Sequence, residues 1–578
     1  MRRLLTATSC RPMTTARGIF IVLLFALLNI IASSQQSQTG AISGRVVTED
    51  GQPVPRAIVN ITASGKTDRR VTISADDEGK FRADGLDAAP YVVSATAPGY
   101  VVCPRSKDGG RQAGFNYIGE VVIVSMIKGG VITGRVVNGA GEPVVDIPVI
   151  AERVRDEEGR LLPAPEKNVT ISQRQTDDHG VYRWYGLAPG SYVIYAGGPG
   201  GSSTRPTPFE GRMSIYHPSA TRDTAAEITV HGGEVMSGID IRYRIERGFI
   251  ISGKITGVPT TGGSAQVLLL KAGADLVIAT TSPQPSGLEN PYIIYGAPNG
   301  EFEIIAARDF SGDENAFASS PRRVVVNGRD VGGIDLSLAP LASIAGGVTI
   351  EKSAQKCEAA RDSRLNEVVV RVRRDEPAEK SDTPPWPFLA QPSGEANEAG
   401  AFSIRGLKTG RYRLEPLPPR ADLYVKDLRL RGAPAPGELA RSGLTLKPGQ
   451  RVSGAMITLA EGAAALNGKM VATGPSRLPQ LRVYLIPAES AARDEALRFA
   501  EVPVEADGLF SFRNLAPGKY WLLSRPLPDS EPKNKPSRPA AWDAAERAKL
   551  RQKAEAANIV IELKPCQRIN DYVLHYSK

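Results

Sequence analysis

One stretch of this chain is a near copy of another. Residues 41–63 read AISGRVVTEDGQPVPRAIVNITA and residues 76–100 read DDEGKFRADGLDAAPYVVSATAPGY. Residues 131–152, VITGRVVNGAGEPVVDIPVIAE, and 177–196, DDHGVYRWYGLAPGSYVIYA, follow the same pattern. In both, G-x-V leads to a G-x-P turn, an alternating stretch, D-x-x-G-x-F/Y and then G-L-x-x-x-x-Y. A repeat of this length sets the architecture before any finer reading, because each copy is one structural unit in a row.

Three looser copies follow. The third has ISGKI at 251–255 and NGEFEI at 299–304, with no clear G-L-x-x-G-x-Y. The fourth has AGGVTI at 345–350 and NEAGAFSIRGLKTGRYRLE at 397–415. The fifth has LNGKMV at 466–471 and ADGLFSFRNLAPGKYWLL at 506–523. Phe81, Tyr182, Phe302, Phe402 and Phe510 are read as matching core anchors. The junctions repeat too, at 232–255, 329–350 and 447–470, each as a last strand, a few residues and the next first strand. Linkers this short favour a rod in which only neighbours touch.

The segments are strands. Ala57, Val59, Ile61 and Ala63 alternate with Asn60 and Thr62 at period two. The 58 Gly and 44 Pro exceed average usage without a collagen period, as many turns require. Asp77-Glu78-Gly79 and Asp178-His179-Gly180 are tight turns into the aromatic strand.

This pattern resembles the carboxypeptidase regulatory-like domain, closest in units one and two and loosest in three and four. The resemblance implies a seven-stranded antiparallel, transthyretin-like sandwich of the carbohydrate-binding-like fold, related to collagen-adhesin B-type repeats. The whole chain is similar to large exported acidobacterial proteins built from such units. The expected fold is therefore all-β: about five tandem sandwiches and one short helix near the C-terminus. The expected divisions are 35–128, 129–246, 247–340, 341–461 and 462–578, with a helical insertion at 542–558 capped by Asp543. That insertion is read as preceding a closing strand at 559–563, and a free helix that binds a partner is the other reading.

Residues 1–34 read as a signal peptide. Arg2, Arg3, Arg11 and Arg17 precede the apolar run IFIVLLFALLNIIA at 19–32, and small residues follow. The run suits a signal core and is short for a bilayer span. Cleavage near Ser34 gives a secreted, periplasmic or envelope protein; an uncleaved signal would anchor it. The net charge of +9 falls to about +5 without those four arginines, too little and too dispersed for nucleic acid.

Chemistry is sparse. The four His are His179, His217, His231 and His575. His231 and Glu234 have H-x-x-E zinc spacing, but no third ligand or catalytic domain accompanies them. The acidic turns at Asp76-Asp77-Glu78 and Asp177-Asp178 lack calcium-loop spacing. No enzyme, metal or cofactor is expected. The resemblance to B-type repeats raises a Lys–Asn amide; Arg45 and Arg135 exclude it in units one and two, whereas Lys254 and Lys469 leave it open. In the run at 181–185, alternation sets Tyr182 and Trp184 on one face and Arg183 and Tyr185 on the other. The functional reading of this run is a sugar-stacking platform with Trp184 and Tyr185. Cys10 leaves with the signal; Cys357 and Cys566 are expected to pair and leave Cys103 free. Three functions remain: a structural or binding module of the envelope, a carbohydrate-binding protein, or an accessory subunit of a surface complex. The partner is a glycan or an envelope protein.

Overall fold

A computed structural model describes residues 39–576, apart from 65–68, 104–114, 163–173, 199–211, 259–264, 273–276, 284–289, 309–315, 354–356, 358–363, 376–392, 474–477, 528–537 and a few shorter gaps. The basic region, the apolar run and Cys10 lie outside the described residues.

The chain forms five β-sandwiches, each with its own apolar core. One plan recurs. In the first sandwich, Gly40–Thr48 pairs antiparallel with Lys80–Leu86 and parallel with the closing strand Val121–Lys128. The facing sheet holds Ile58–Ala63 between Arg70–Ser74 and Tyr91–Thr96. Alternation drives the packing: Val59 and Ile61 are fully buried, and Ile58 is exposed.

The sheets are antiparallel except for that one pair. A parallel first and closing strand recurs in every sandwich. It brings the chain in at one end of a unit and out at the other, as a serial array requires. The first sandwich has eight described strands and the fifth has seven. Consecutive strands meet closely at the junctions. Val121–Lys128 is followed by Gly130–Val137, and Arg451–Glu461 by Ala464–Ala472.

The repeated first-strand glycine has a steric cause. At Gly44 a Cβ would overlap the carbonyl oxygen of Val122, and at Gly134 that of Ile239, both on the closing segment. Any side chain there would push that segment off the sheet.

The third sandwich departs from the sequence reading. Phe302 does not match Phe81 and Tyr182. It lies on Gly300–Arg308, in the opposite sheet, paired with Gln266–Lys271. Tyr292, on Asn290–Ala297, holds the anchor position: its hydroxyl donates to the Ile334 carbonyl at 2.5 Å, as Tyr182 does to Ile239 at 2.5 Å. The segment GAPNGEF at 296–302 is thus the missing G-L-x-x-G-x-Y, with Ala for Leu and Phe for Tyr. Its backbone agrees, since φ is +79° and +148° at Gly296 and Gly300, against +70° and +145° at Gly186 and Gly190.

The C-terminal helix is Ala544–Ala557, and Asp543 caps it by accepting from Ala545 N and Glu546 N. It precedes two strands, not one. Val560–Leu563 joins the second sheet, and Arg568–Tyr576 is the closing strand. Nor is the helix free: Leu550 and Ala554 pack against Ile486 and Trp521 of the fifth sandwich. A second, five-residue helix, Glu438–Ser442, lies in the fourth.

Contacts are not confined to sequence neighbours. Asn366 of the fourth sandwich donates through Nδ2 to the Ala88 carbonyl of the first at 2.8 Å. The array is therefore bent: the turn Leu365–Glu367 meets the turn before Tyr91–Thr96, a contact that a straight rod would not allow.

Candidate functional site

Strand Val181–Leu187 sets the fate of the aromatic run. It pairs antiparallel with Gly130–Val137, so its side chains alternate between core and solvent. Tyr182 and Trp184 are 1% and 2% exposed, and Trp184 Nε1 donates to the Val149 carbonyl at 3.3 Å. Burial pushes the Tyr182 phenol far above its usual range. Tyr185 is 57% exposed, with the Arg174 guanidinium 4.6 Å from its ring centre. Trp184 and Tyr185 therefore form no joint platform, because the pleat places neighbours on opposite faces. Only Tyr185 is available to a ligand.

His231 and Glu234 build a turn. The Glu234 carboxylate accepts from His231 N at 2.9 Å, and Glu234 N donates to the His231 carbonyl at 3.1 Å. Among the described residues no three His, Cys, Asp or Glu side chains are grouped to hold a metal ion. Lys469 lies exposed on the outer face of its sheet, and the Lys254 backbone N donates to Asp335 at 3.1 Å.

The densest polar constellation is one the sequence reading did not assemble. It lies between the fourth and fifth sandwiches. Asp375 follows strand Val369–Arg374, and its carboxylate is fully buried. Arg413, also buried, donates to it through Nε at 2.7 Å, and Arg538 through Nε at 2.6 Å. Burial alone would raise the Asp375 carboxyl, but hydrogen bonds from Arg538 and Arg413 outweigh it and hold the group below its usual value. Arg413 Nη2 reaches the Trp542 carbonyl at 3.0 Å. The guanidiniums of Arg373 and Arg413 lie 4.7 Å and 5.7 Å from the centre of the Trp542 ring. Residues from the fifth sandwich's insertion thus clamp the outer face of the fourth.

Two further ties flank this clamp. Asn514 occupies the left-handed position that glycine fills at 186 and 296, with φ +55°. Its side chain donates to the carbonyls of Arg420 and Leu423, each at 2.6 Å. Cys357 and Cys566 form a disulfide between the two sandwiches, with Cα atoms 5.2 Å apart. The Cys103 Sγ lies 3.6 Å from the Glu49 carboxylate. Two features of the sequence bear on this interface, the expected Cys357–Cys566 pair and the Asn-for-Gly exchange in NLAPG. Asp375 and Trp542 are 167 residues apart, and no local pattern joins them.

With this geometry in place, comparison with known proteins is informative for one unit. Residues 41–103 match the family model of the carboxypeptidase regulatory-like domain. That span runs from the first strand to the residue after Tyr100–Val102, most of the first sandwich. No curated protein sequence matches the chain. Among solved structures, the Bacillus anthracis TIE protein is similar at 12% identity over 52% of this chain and 51% of that one, with a TM-score of 0.14. This chain thus spans about half of that protein. A minor pilin of Streptococcus agalactiae is similar at 11% identity over 39% of this chain and 99% of that one, TM-score 0.18. Two B repeat units of the collagen-binding protein of Staphylococcus aureus are similar at 11% identity over 73% and 100%, TM-score 0.13. Likenesses this low transfer no function. Among the described residues no helix is long and apolar enough to cross a membrane.

Proposed function

We propose that this protein is a non-enzymatic structural and binding module that works outside the cytoplasm, at the envelope or beyond it. The observation that carries this reading is the Cys357–Cys566 disulfide across two sandwiches already clamped by Asp375, Arg413, Arg538 and Trp542. Disulfides of this kind persist in oxidising compartments. A chain that invests its buried charges in holding two units together is built to bear position or load. The carboxypeptidase regulatory-like unit supports the reading, since that domain supplies a fold rather than a catalytic set.

The test is the state of the protein in its own cells. Thiols are trapped by alkylation, cells are fractionated, and peptides are mapped without reduction. The account expects Cys357 linked to Cys566, an N-terminus near residue 35 and recovery outside the cytoplasm. A cytoplasmic protein that starts at Met1 with both thiols alkylated would overturn it. The purified protein is expected to cleave no peptide. One zinc per chain, lost in His231→Ala, would contradict the non-enzymatic reading.

A further inference from the structure

We propose that the protein self-associates through its closing strand, Arg568–Tyr576, which pairs antiparallel with the same strand of a second copy. In three other sandwiches the outer edge of the closing segment is occupied. Tyr100–Val102 pairs along Val121–Lys128 in the first. In the second, Arg242 N donates to the Pro218 carbonyl at 2.9 Å. In the fourth, Leu423–Leu430 runs along Arg451–Glu461. In the third, the closing strand Leu336–Ser337 is only two residues long and offers little edge. In the fifth, the sheet has three strands, and Arg568–Tyr576 ends it with no described strand on its outer side. The strand is irregular between Ile569 and Tyr572, and its regular run at 572–576 is a template for another strand.

The backbone decides which groups are offered. The Tyr576 carbonyl accepts from Thr473 N at 3.0 Å, so it faces inward, toward strand Ala464–Ala472. Backbone groups alternate in direction along a strand, so those of Val573 and His575 face outward. The side chains decide the register. Val573 is 51% exposed, with exposed Asp571 and His575 on the same face, while Leu574 points into the core at 3%. A two-fold pair centred on Val573 sets Val573 against its own copy and Asp571 against His575 on both sides. Centring on Asp571 would oppose two carboxylates, and centring on His575 would oppose two imidazoles. The pattern is thus self-complementary in one register, as an isologous interface requires. Its central pair exchanges two backbone hydrogen bonds, and the two three-stranded sheets become one of six.

The experiment uses the full chain with Cys10 and Cys103 replaced by Ser, examined by sedimentation over a range of concentrations. A dimer is expected, and Val573→Pro should return it to monomer. That proline removes an outward N–H and leaves the ladder to Ala464–Ala472 intact. In a second arm, Val573→Cys should oxidise to a covalent dimer, because paired Cα atoms lie about 5.5 Å apart. Leu509→Cys, on the same face but on the opposite edge strand of the sheet and 49% exposed, should not. A chain that stays monomeric, or a dimer that survives Val573→Pro without a Val573→Cys cross-link, overturns the proposal. Association only with a strand from a different protein overturns it as well.

Discussion

Trp184 and Tyr185 differ most in what their loss would do. Trp184 fills the core of the second sandwich, so Trp184→Ala should cost about 3–5 kcal/mol. Tyr185→Ala removes an exposed ring and should change stability by less than about 0.5 kcal/mol. Denaturant unfolding of the two variants measures the contrast; a larger loss in Tyr185→Ala than in Trp184→Ala would mean the strand faces the other way. Gly44→Ala tests the close approach to Val122. It should destabilise the first sandwich by about 1–3 kcal/mol, through overpacking against a backbone that cannot retreat. At this scale the sequence was most legible where one strand decides the outcome, as with the alternation of Tyr182 and Tyr185. It failed where two candidates competed. NGEFEI resembles the D-x-x-G-x-F turn, but Gly300 belongs to the following strand, and only pairing with Gln266–Lys271 shows it.

The elements that join the fourth and fifth sandwiches give two measurable consequences. The Cys357–Cys566 bridge closes a loop of 209 residues. In the chain-entropy model such a loop stabilises by about 5 kcal/mol. Cys357→Ser with Cys566→Ser, compared with the oxidised protein in urea, should therefore lower the midpoint of the C-terminal pair and leave the first sandwich unchanged. The second consequence concerns pH. The Asp375 carboxyl lies lower in the folded protein than its ordinary value of 3.8. A depressed carboxylate stabilises fully above its unfolded value, and that contribution fades as pH falls below it, through the folded value. Docking of the Arg538–Trp542 segment should hold at neutral pH and weaken below about pH 4. Trp542 fluorescence followed against pH reports this, and Asp375→Asn should remove the acid limb while weakening the docking at neutral pH. The helix Ala544–Ala557 was readable from its Ala, Glu, Lys and Arg content and its Asp543 cap. Its docking was not readable, because it depends on Ile486 and Trp521 from strands brought together only by the fold.

At the scale of the molecule, the repeat made the array legible and hid its bend. Motifs repeat within units, whereas Asn366 and Ala88 meet across 278 positions that share no pattern. The parallel pairing of first and closing strands gives each unit an entrance and an exit at opposite ends, so neighbours meet end to end. The chain is built from five separately cored sandwiches, and the last two act as one. Hydrogen exchange read by mass spectrometry at rising, sub-denaturing urea tests this most directly, because it resolves cooperative units within one chain. The predicted result is a set of protected blocks centred on the five first strands, Gly40–Thr48, Gly130–Val137, Phe249–Thr256, Ala342–Glu351 and Ala464–Ala472. The first three should lose protection each at its own urea concentration, and the last two together while the disulfide is intact. A single transition shared by the whole chain, or independent opening of the last two blocks in the oxidised protein, would contradict it.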